Sequence, residues 1–420
     1  MMSTVAEKRN LTSELVDQLR EADGKGERAA SIEQFEKTQL PGAKAEEYRF
    51  APIARLLEKH FPTWPALNGL GDASSFDIQS AVPTGLEADV VVLVNGVWSE
   101  SKSKQANTAV RLTWQPLANE APANDPFALL NQAAAVHELF IDVPATFEAT
   151  RPLVVLYVND ASQPVSAHTR LKMTLREGSR ASLITRTINI GNSPVFHTCT
   201  ETIEVCNRAH LDFYKIQDDA GKIIQVNNTL IHQSEESQLN TFTLTLDGLA
   251  IRNNLTIAID GERCESHFHG LYLLKGETLA DNHTVVDHLK PNSFSNEMYK
   301  GVMDDQSKAV FNGKIFVRPH AQKTNAFQSN RNILLSDKAT INTKPQLEIW
   351  ADDVKCSHGC TTGQLDEEAL FYLRARGVHQ DTARAMLLYA FASEVVGHIP
   401  NETLRQYMDE IVSERLHKDF

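Results

Sequence analysis

Apolar residues near the start of the chain recur at helical intervals. Leu11, Leu15 and Leu19 are spaced four residues apart, as on one face of an amphipathic helix, and Gly24 and Gly26 interrupt that pattern. Similar patterns predict helices over 29–37, 53–59 and 126–135, with a buried strand over 88–94. We therefore predict a mainly helical N-terminal domain over residues 1–145.

The pattern changes after residue 145. Short segments rich in Val, Ile, Leu, Thr and Phe alternate with polar turns up to Trp350. A turn followed by a small residue and an alternating strand recurs at Ser179, Ala209, Ser237, Cys264, Thr278, Ser307 and Ala339. A spacing near 28 residues with one half-step predicts the coils of a parallel β-helix over 146–350. A β-sandwich is the alternative.

The last segment, 351–420, predicts a C-terminal helical domain with no further strand after Trp350. Its three helices are predicted to begin after the N-cap residues Asp366, Asp381 and Asn401. The second helix carries a broad apolar face: Ala383, Met386, Leu387, Ala390, Phe391 and Val395. This face either packs on the β region or docks a partner. One end of the β-helix could be covered by the N-terminal part, and the other by the tail or by another protein.

Composition narrows the class of protein. The 420 residues carry a formal net charge of −13, which argues against nucleic acid or an anionic membrane as the main partner. We find neither a secretion signal nor an apolar run long enough to span a bilayer. Five cysteines, an odd and sparse set, suit a reducing compartment. We therefore expect a soluble, cytoplasmic protein.

One segment concentrates soft-metal chemistry. Cys356, His358 and Cys360 occupy alternate positions, so an extended strand would place all three side chains on one face. Thiolate and imidazole together can bind iron, zinc or an iron–sulfur species. One strand does not close a four-ligand site, and a structural cysteine pair beside Gly359 explains the pattern equally well.

A second cluster contains His267, His269 and Glu277. The two histidines would share one face of a strand and resemble the metal set of cupin-like barrels. His283 and His288 add to the local count. Polar side chains stacked along a β-helix face are the alternative explanation.

Several catalytic signatures are missing from the sequence. It contains no Gly-X-Gly-X-X-Gly or Gly-X4-Gly-Lys-Ser/Thr loop, no Gly-X-Ser-X-Gly elbow and no Cys-X-X-Cys pair. We therefore expect a thiol and imidazole site on a large scaffold without a complete catalytic apparatus.

The run 344–377 contains Ile-Trp-Ala-Asp-Asp-Val-Lys-Cys-Ser-His-Gly-Cys-Thr-Thr-Gly and closely resembles the signature of the SufB/SufD family. These proteins are scaffold subunits of the Suf machine, which assembles iron–sulfur clusters. Lys300-Gly301 and the segments 311–317 and 326–336 resemble the same family. The segment 41–50 is similar to the SufD branch, and the cysteine-rich N-terminal segment often seen in SufB is absent.

The resemblance implies an α+β fold, with a central right-handed parallel β-helix between N-terminal and C-terminal helical domains. It implies pairing with SufB through the β-helix ends, and a helical tail that holds the ATPase SufC, in a SufB–SufC2–SufD complex. A homodimer is a further expectation for the isolated chain.

The resemblance also implies site residues. Cys356 and His358 match the pair implicated in nascent cluster formation at the SufB interface, whereas alanine is common in the family at the position of Cys360. A transient iron or iron–sulfur cluster, a role in iron supply and reduced flavin in the complex are also implied.

Three functions compete at this point. The first is a non-enzymatic assembly scaffold that uses Cys356 and His358. The second is a metal-dependent enzyme, on a β-helix or cupin-like barrel, that uses His267 and His269. The third is a β-helix that binds or cleaves polysaccharide, which would require a groove lined with aromatic and acidic residues. The signature around Cys356 favours the first.

Overall fold

A computed structural model describes residues 10–42, 44–69, 71–117, 123–218 and 221–419. Nineteen strands dominate the described residues: β1 (Asp89–Val94), β2 (Val97–Trp98), β3 (Arg111–Pro116), β4 (His137–Val143), β5 (Leu153–Asp160), β6 (Val165–Leu175), β7 (Arg180–Ile190), β8 (Val195–Val205), β9 (His210–Gln217), β10 (Ile223–Gln233), β11 (Gln238–Thr245), β12 (Ala250–Ile259), β13 (Glu265–Leu274), β14 (Leu279–His288), β15 (Phe294–Met303), β16 (Lys308–Val317), β17 (Asn325–Leu334), β18 (Thr340–Ile349) and β19 (Lys355–Gly363).

The strands form a parallel β-helix with two sheets. From β4 to β19, strands alternate between the two sheets. Strands β5, β7 and β9 are neighbours in one sheet, which we call the odd-numbered sheet. Strands β6, β8 and β10 are neighbours in the other, which we call the even-numbered sheet. Each coil therefore contributes one strand to each sheet. Register partners such as Glu265, Phe294, Asn325 and Lys355 recur about every 30 residues. The predicted β-helix is confirmed, and the β-sandwich alternative is wrong.

The half-step in the sequence repeat is a change of sheet. Of the seven residues at which the sequence repeat recurs, four directly precede strands of the odd-numbered sheet: Ser179, Ala209, Ser237 and Cys264. The other three directly precede strands of the even-numbered sheet: Thr278, Ser307 and Ala339. The short interval from Cys264 to Thr278 is the length of one strand and one turn. The irregular sequence repeat therefore corresponds to successive coils of the β-helix.

The N-terminal helices lie against the outer face of the even-numbered sheet. They are α1 (Leu11–Ala22), α2 (Ala29–Thr38), α3 (Ile53–His60) and α4 (Pro126–Ala134). Phe35, Phe127 and Leu130 pack there against Phe196 and Ile224 of the sheet. Asp125 caps α4 by accepting hydrogen bonds from two backbone amides of the first turn, as its sequence indicates.

The tail helices are α5 (Glu367–Ala375), α6 (Gln380–Val396) and α7 (Glu402–Asp419), and α6 and α7 pack on the outer face of the odd-numbered sheet. Asp366 and Asn401 are helix caps, as predicted. The prediction for Asp381 is wrong, because α6 begins at Gln380 and Asp381 lies in its first turn. No helix in the described part of the chain is both long and apolar enough to cross a membrane.

The buried face of α6 differs from the predicted one. Its buried residues are Ala383, Ala385, Leu388, Ala392, Val395 and Val396, whereas Met386 is exposed. Two surfaces bury this helix, since it contacts both the sheet and α7. The interpretation that the tail packs on the β region is confirmed for this face.

The two ends of the β-helix are built differently. At the first end, β2 and β3 add antiparallel strands to β1 and β4. At the second end, β18 and β19 are the last strands of their sheets, and nearly all of β19 is exposed. The prediction that no strand follows Trp350 is therefore wrong. Among the described helices, α1–α4, α6 and α7 lie on the outer faces of the sheets, α5 contacts α6, and this second end is left open.

Candidate functional site at the open end of the β-helix

The side chains of Cys356, His358 and Cys360 continue three columns that point into the β-helix. Their register partners on β17 are Ala326, Gln328 and Asn330, all of which are buried. Partners in a parallel sheet share a face, so these three side chains point inward as well. They form the final layer of the interior, which is accessible because no strand of the described chain lies beyond β19. The predicted sharing of one face is confirmed.

Cys356 is the half-buried member of the layer. It packs against the interior apolar cluster, as does Leu347 of β18. Burial raises the pKa of the Cys356 thiol, while a hydrogen bond from the backbone of Ala326 lowers it. The free thiol is therefore protonated at neutral pH, and a bound metal ion would displace that proton.

His358 and Cys360 are exposed. The Cys360 sulfur lies 3.0 Å from Oγ1 of Thr343 on β18, within the same end coil. The strand thus supplies two thiols and an imidazole, which are ligands that iron accepts. Among the described residues, no group of three or more His, Cys, Asp or Glu side chains is arranged to hold a metal ion. The described donors do not form a closed site.

Buried polar residues lie directly beneath the layer. Glu297 on β15 is 1 % exposed, and its Oε2 accepts a hydrogen bond of 2.7 Å from Nε2 of Gln328. Burial raises the pKa of Glu297 to about 7, against hydrogen bonds from Thr284 and Gln328 that lower it. Sequence reasoning missed both Glu297 and Gln328. Their register with His358 is the signal that links them to the site.

The histidine cluster is not gathered into one site. His267 and His269 lie on the outer face of the odd-numbered sheet, where the His269 ring stacks on that of His398 with centroids 4.4 Å apart. Burial, together with the neighbouring His398 and His267, lowers the pKa of His269 to about 3. Glu277 belongs to the turn after β13 and does not join them. This arrangement joins the tail to the sheet.

The remaining two histidines lie elsewhere. His283, on the outer face of the even-numbered sheet, contacts Asp281 at 2.9 Å and Glu47 at 3.3 Å. His288 is buried, and its Nε2 lies 2.9 Å from the Ser295 hydroxyl. The predicted alternative of polar residues stacked along the β-helix fits these positions.

The tail presents an exposed apolar surface, which we call the α5–α6 patch. It consists of Phe371, Tyr372 and Met386, which are 73, 58 and 47 % exposed. Neighbouring α6 is anchored to the sheet by Lys300 of β15, whose Nζ donates a 2.9 Å hydrogen bond to the backbone oxygen of Phe391 and pairs with Glu394. The Met386 part of the patch therefore lies on a helix that contacts the β-helix directly.

Comparison with known proteins identifies the family. The model described as "SUF system FeS cluster assembly, SufBD core domain" matches residues 157–391, more than half of the chain. The iron–sulfur cluster assembly protein SufD of Escherichia coli is 29 % identical over 395 residues, covering 92 % of this chain and 91 % of its own. The SufBD family protein slr0076 of Synechocystis is 29 % identical over 400 residues, covering 89 % and 87 %. The chain therefore belongs to the SufB/SufD family of the SUF system of iron–sulfur cluster assembly, and within that family it is similar to SufD.

Proposed function

We propose that the chain is a non-catalytic scaffold subunit of a SufB–SufC2–SufD complex. In this proposal it pairs with SufB through the open end of the β-helix, holds SufC through its helical tail, and contributes Cys356 and His358 to nascent cluster formation. The observation that carries the proposal is the position of both residues in the last inward-facing layer of an exposed edge strand.

Pairing through this end follows from backbone chemistry. An edge strand exposes backbone donors and acceptors that favour association with another strand. A SufB strand added beyond β18 or β19 would continue the coil and cover the layer that contains Cys356. Without SufB, the same edge would pair two copies of this chain, which accounts for the expected homodimer.

The donor set suits transient binding of the cluster as cargo. A thiolate and an imidazole occupy only part of the coordination of iron. Ligands from SufB would complete it across the interface, and the cluster would leave when the interface opens. Cys360 is a third donor within the same layer. Iron supply and reduced flavin enter this proposal as functions of the complex.

The α5–α6 patch fits a protein partner. Large apolar side chains that are more than half exposed, as Phe371 and Tyr372 are, commonly mark interaction surfaces. We assign this patch to SufC, in line with the tail-docking role that the resemblance implies. The five free cysteines fit a reducing compartment, and the proposal places the complex in the cytoplasm.

The mechanism couples SufC to the cluster site through the tail. ATP-driven dimerisation of SufC would pull on the tails of both scaffold subunits. Because α6 is attached to β15 by Lys300 and Glu394, that force would reach the odd-numbered sheet that ends in β19. The junction with SufB would distort and expose Cys356 and His358 to iron and sulfide.

The test is co-expression of this chain with SufB and SufC. Anaerobically purified complexes carrying Cys356→Ser or His358→Ala are compared with the unchanged complex by mass and by cluster absorbance. We expect an intact complex with the cluster absorbance lost. Cys206→Ser and His232→Ala, at a half-buried cysteine and a half-buried histidine outside the end layer, should leave both readouts unchanged.

The coupling has its own readout. Cys356 should react faster with a thiol reagent after ATP is added than before, measured in the complex by mass spectrometry of the labelled peptide. If SufC dimerises and the labelling rate of Cys356 does not change, the coupling mechanism is wrong. If no complex forms at all, the scaffold function is wrong as well.

A further inference from the structure

A buried polar atom beneath His358 lacks a hydrogen-bond partner. Gln328 is 4 % exposed, and its Nε2 donates to Glu297. Its Oε1 is buried and accepts no hydrogen bond from any described residue. Burying an amide oxygen without a donor costs free energy, so such an atom in a folded interior points to a donor that arrives with another side chain or a ligand.

The donor nearest in register is the imidazole of His358. Gln328 and His358 are paired residues on β17 and β19, with strands about 4.8 Å apart. The same pairing forms a hydrogen bond elsewhere in the molecule. His210 on β9 and Gln238 on β11 are register partners, and Nδ1 of His210 lies 2.8 Å from Oε1 of Gln238. A histidine and a glutamine in this relation are therefore within bonding reach.

The interior makes room for the Gln328 amide at Gly313. A Cβ atom at Gly313 on β16 would lie 2.2 Å from Nε2 of Gln328, so only glycine lets the amide occupy this position. Because a carboxyl oxygen of Glu297 accepts from Nε2, Oε1 is the atom left for a donor on another residue.

His358 is exposed in this structure and makes no hydrogen bond to Gln328. We propose that rotation of the His358 side chain closes this bond, so that Gln328 is a positioning residue that accepts the N–H of one imidazole nitrogen of His358. The other nitrogen of His358 is then unprotonated and directed toward the nascent cluster. Glu297 and Gly313 hold the Gln328 amide for this role. Partners of this kind fix the tautomer and ring orientation of metal-binding histidines, and their loss commonly weakens metal binding about 10- to 100-fold. Only one part of this inference rests on the proposed function, namely that the second nitrogen of His358 binds the cluster.

The primary test is the tautomer of His358 in the full chain. Nitrogen chemical shifts of ¹⁵N-histidine-labelled protein at pH 8 report which ring nitrogen carries the proton, and His358→Ala assigns the signal. We expect one dominant tautomer in the unchanged protein. Gln328→Met, which keeps the side-chain length but removes the acceptor, should shift the tautomer ratio toward that of free imidazole. Gln238→Met removes the acceptor beside His210 and should leave His358 unchanged.

A double variant gives a rescue that does not depend on the stability of Gln328→Met. In Glu297→Gln with Gln328→Glu, the donor and acceptor of the buried pair are exchanged, while a carboxyl oxygen remains beneath His358. We expect the original tautomer to persist. Iron retained by the complex with SufB and SufC should fall about 10-fold or more in Gln328→Met and recover in the double variant.

The outcomes separate the two ideas. An unchanged tautomer in Gln328→Met, or a lost tautomer in the double variant, overturns the inference whatever the cluster does. If His358→Ala leaves the cluster intact while Gln328→Met shifts the tautomer, Gln328 positions His358 as inferred, and the cluster-binding function of His358 is wrong.

Discussion

Lys300 and Phe391 connect the β-helix to the tail by a partly buried hydrogen bond. The Lys300 side chain is 2 % exposed, its Nζ donates to the Phe391 backbone oxygen at 2.9 Å, and the ammonium lies 4.4 Å from the Phe391 ring centroid. Burying an ammonium costs free energy unless it is paired and hydrogen-bonded. The junction between α6 and β15 is therefore specific as well as apolar.

We predict that Lys300→Met loosens the tail. The substitution leaves the Phe391 oxygen and the Glu394 carboxylate without their donor, so we expect a loss of about 1–3 kcal/mol in the free energy of unfolding and faster amide exchange in α6. Denaturant unfolding and hydrogen–deuterium exchange measure these effects. Lys308→Met, at an exposed lysine on β16, is the control. Equal exchange in both variants would contradict this anchoring.

Glu297 predicts a pH dependence of stability. Its pKa in the folded chain is about 7, above its ordinary 4.5, so the folded state binds the proton more tightly than the unfolded state. The contribution of Glu297 to stability is therefore complete below about pH 4.5 and is lost as pH rises to about 7. Glu297→Gln should match the unchanged protein at pH 4.5 and exceed it at pH 8 by about 3 kcal/mol.

Denaturant unfolding at both pH values measures this difference. Glu265→Gln, at an exposed carboxylate on β13, controls for the loss of a surface charge. A stability difference between Glu297→Gln and the unchanged protein that is equal at pH 4.5 and pH 8 would show that the Glu297 carboxyl is not held in its protonated form.

The α5–α6 patch predicts a binding defect without a folding defect. Phe371→Ser combined with Tyr372→Ser should weaken SufC binding at least about 10-fold, because aromatic side chains dominate most interfaces. Their exposure means that the melting temperature should hardly change. Calorimetric titration with SufC measures the affinity, and Gln406→Ala on the exposed side of α7 is the control. Full SufC affinity in the double variant would place the docking surface elsewhere.

The features predicted best from the sequence are those that depend on nearby residues, such as helix caps and the repeat of the coils. Asp366 and Asn401 are recognisable as caps because their side chains bond to backbone amides within the same turn. The repeat reveals the coils because each coil buries its strands only against its neighbours. Asp381 obeys the same composition rule, yet α6 begins at Gln380, two residues before the predicted start at Thr382, and its N-cap is His379.

The alternate spacing of Cys356, His358 and Cys360 predicts that they share one face of a strand, but it does not predict which residues surround them. Strand β19 lacks the apolar alternation of a covered strand because its inward residues form the last layer, so hydrophobic pattern alone does not predict a strand there. Glu297 and Gln328 look like surface residues in the sequence, but they lie in register on the inward faces of β15 and β17 and are buried. The histidine cluster separates because alternate positions on β13 face the tail, whereas His288 faces the interior.

The most direct measurement is the cluster absorbance of the anaerobically purified complex with SufB and SufC when this chain carries His358→Ala. Mass analysis of the same sample shows whether the complex is assembled. The proposed scaffold site predicts an assembled complex that has lost its cluster absorbance, with His232→Ala unchanged. An assembled complex that keeps its full absorbance would contradict a role for this end of the β-helix in cluster formation.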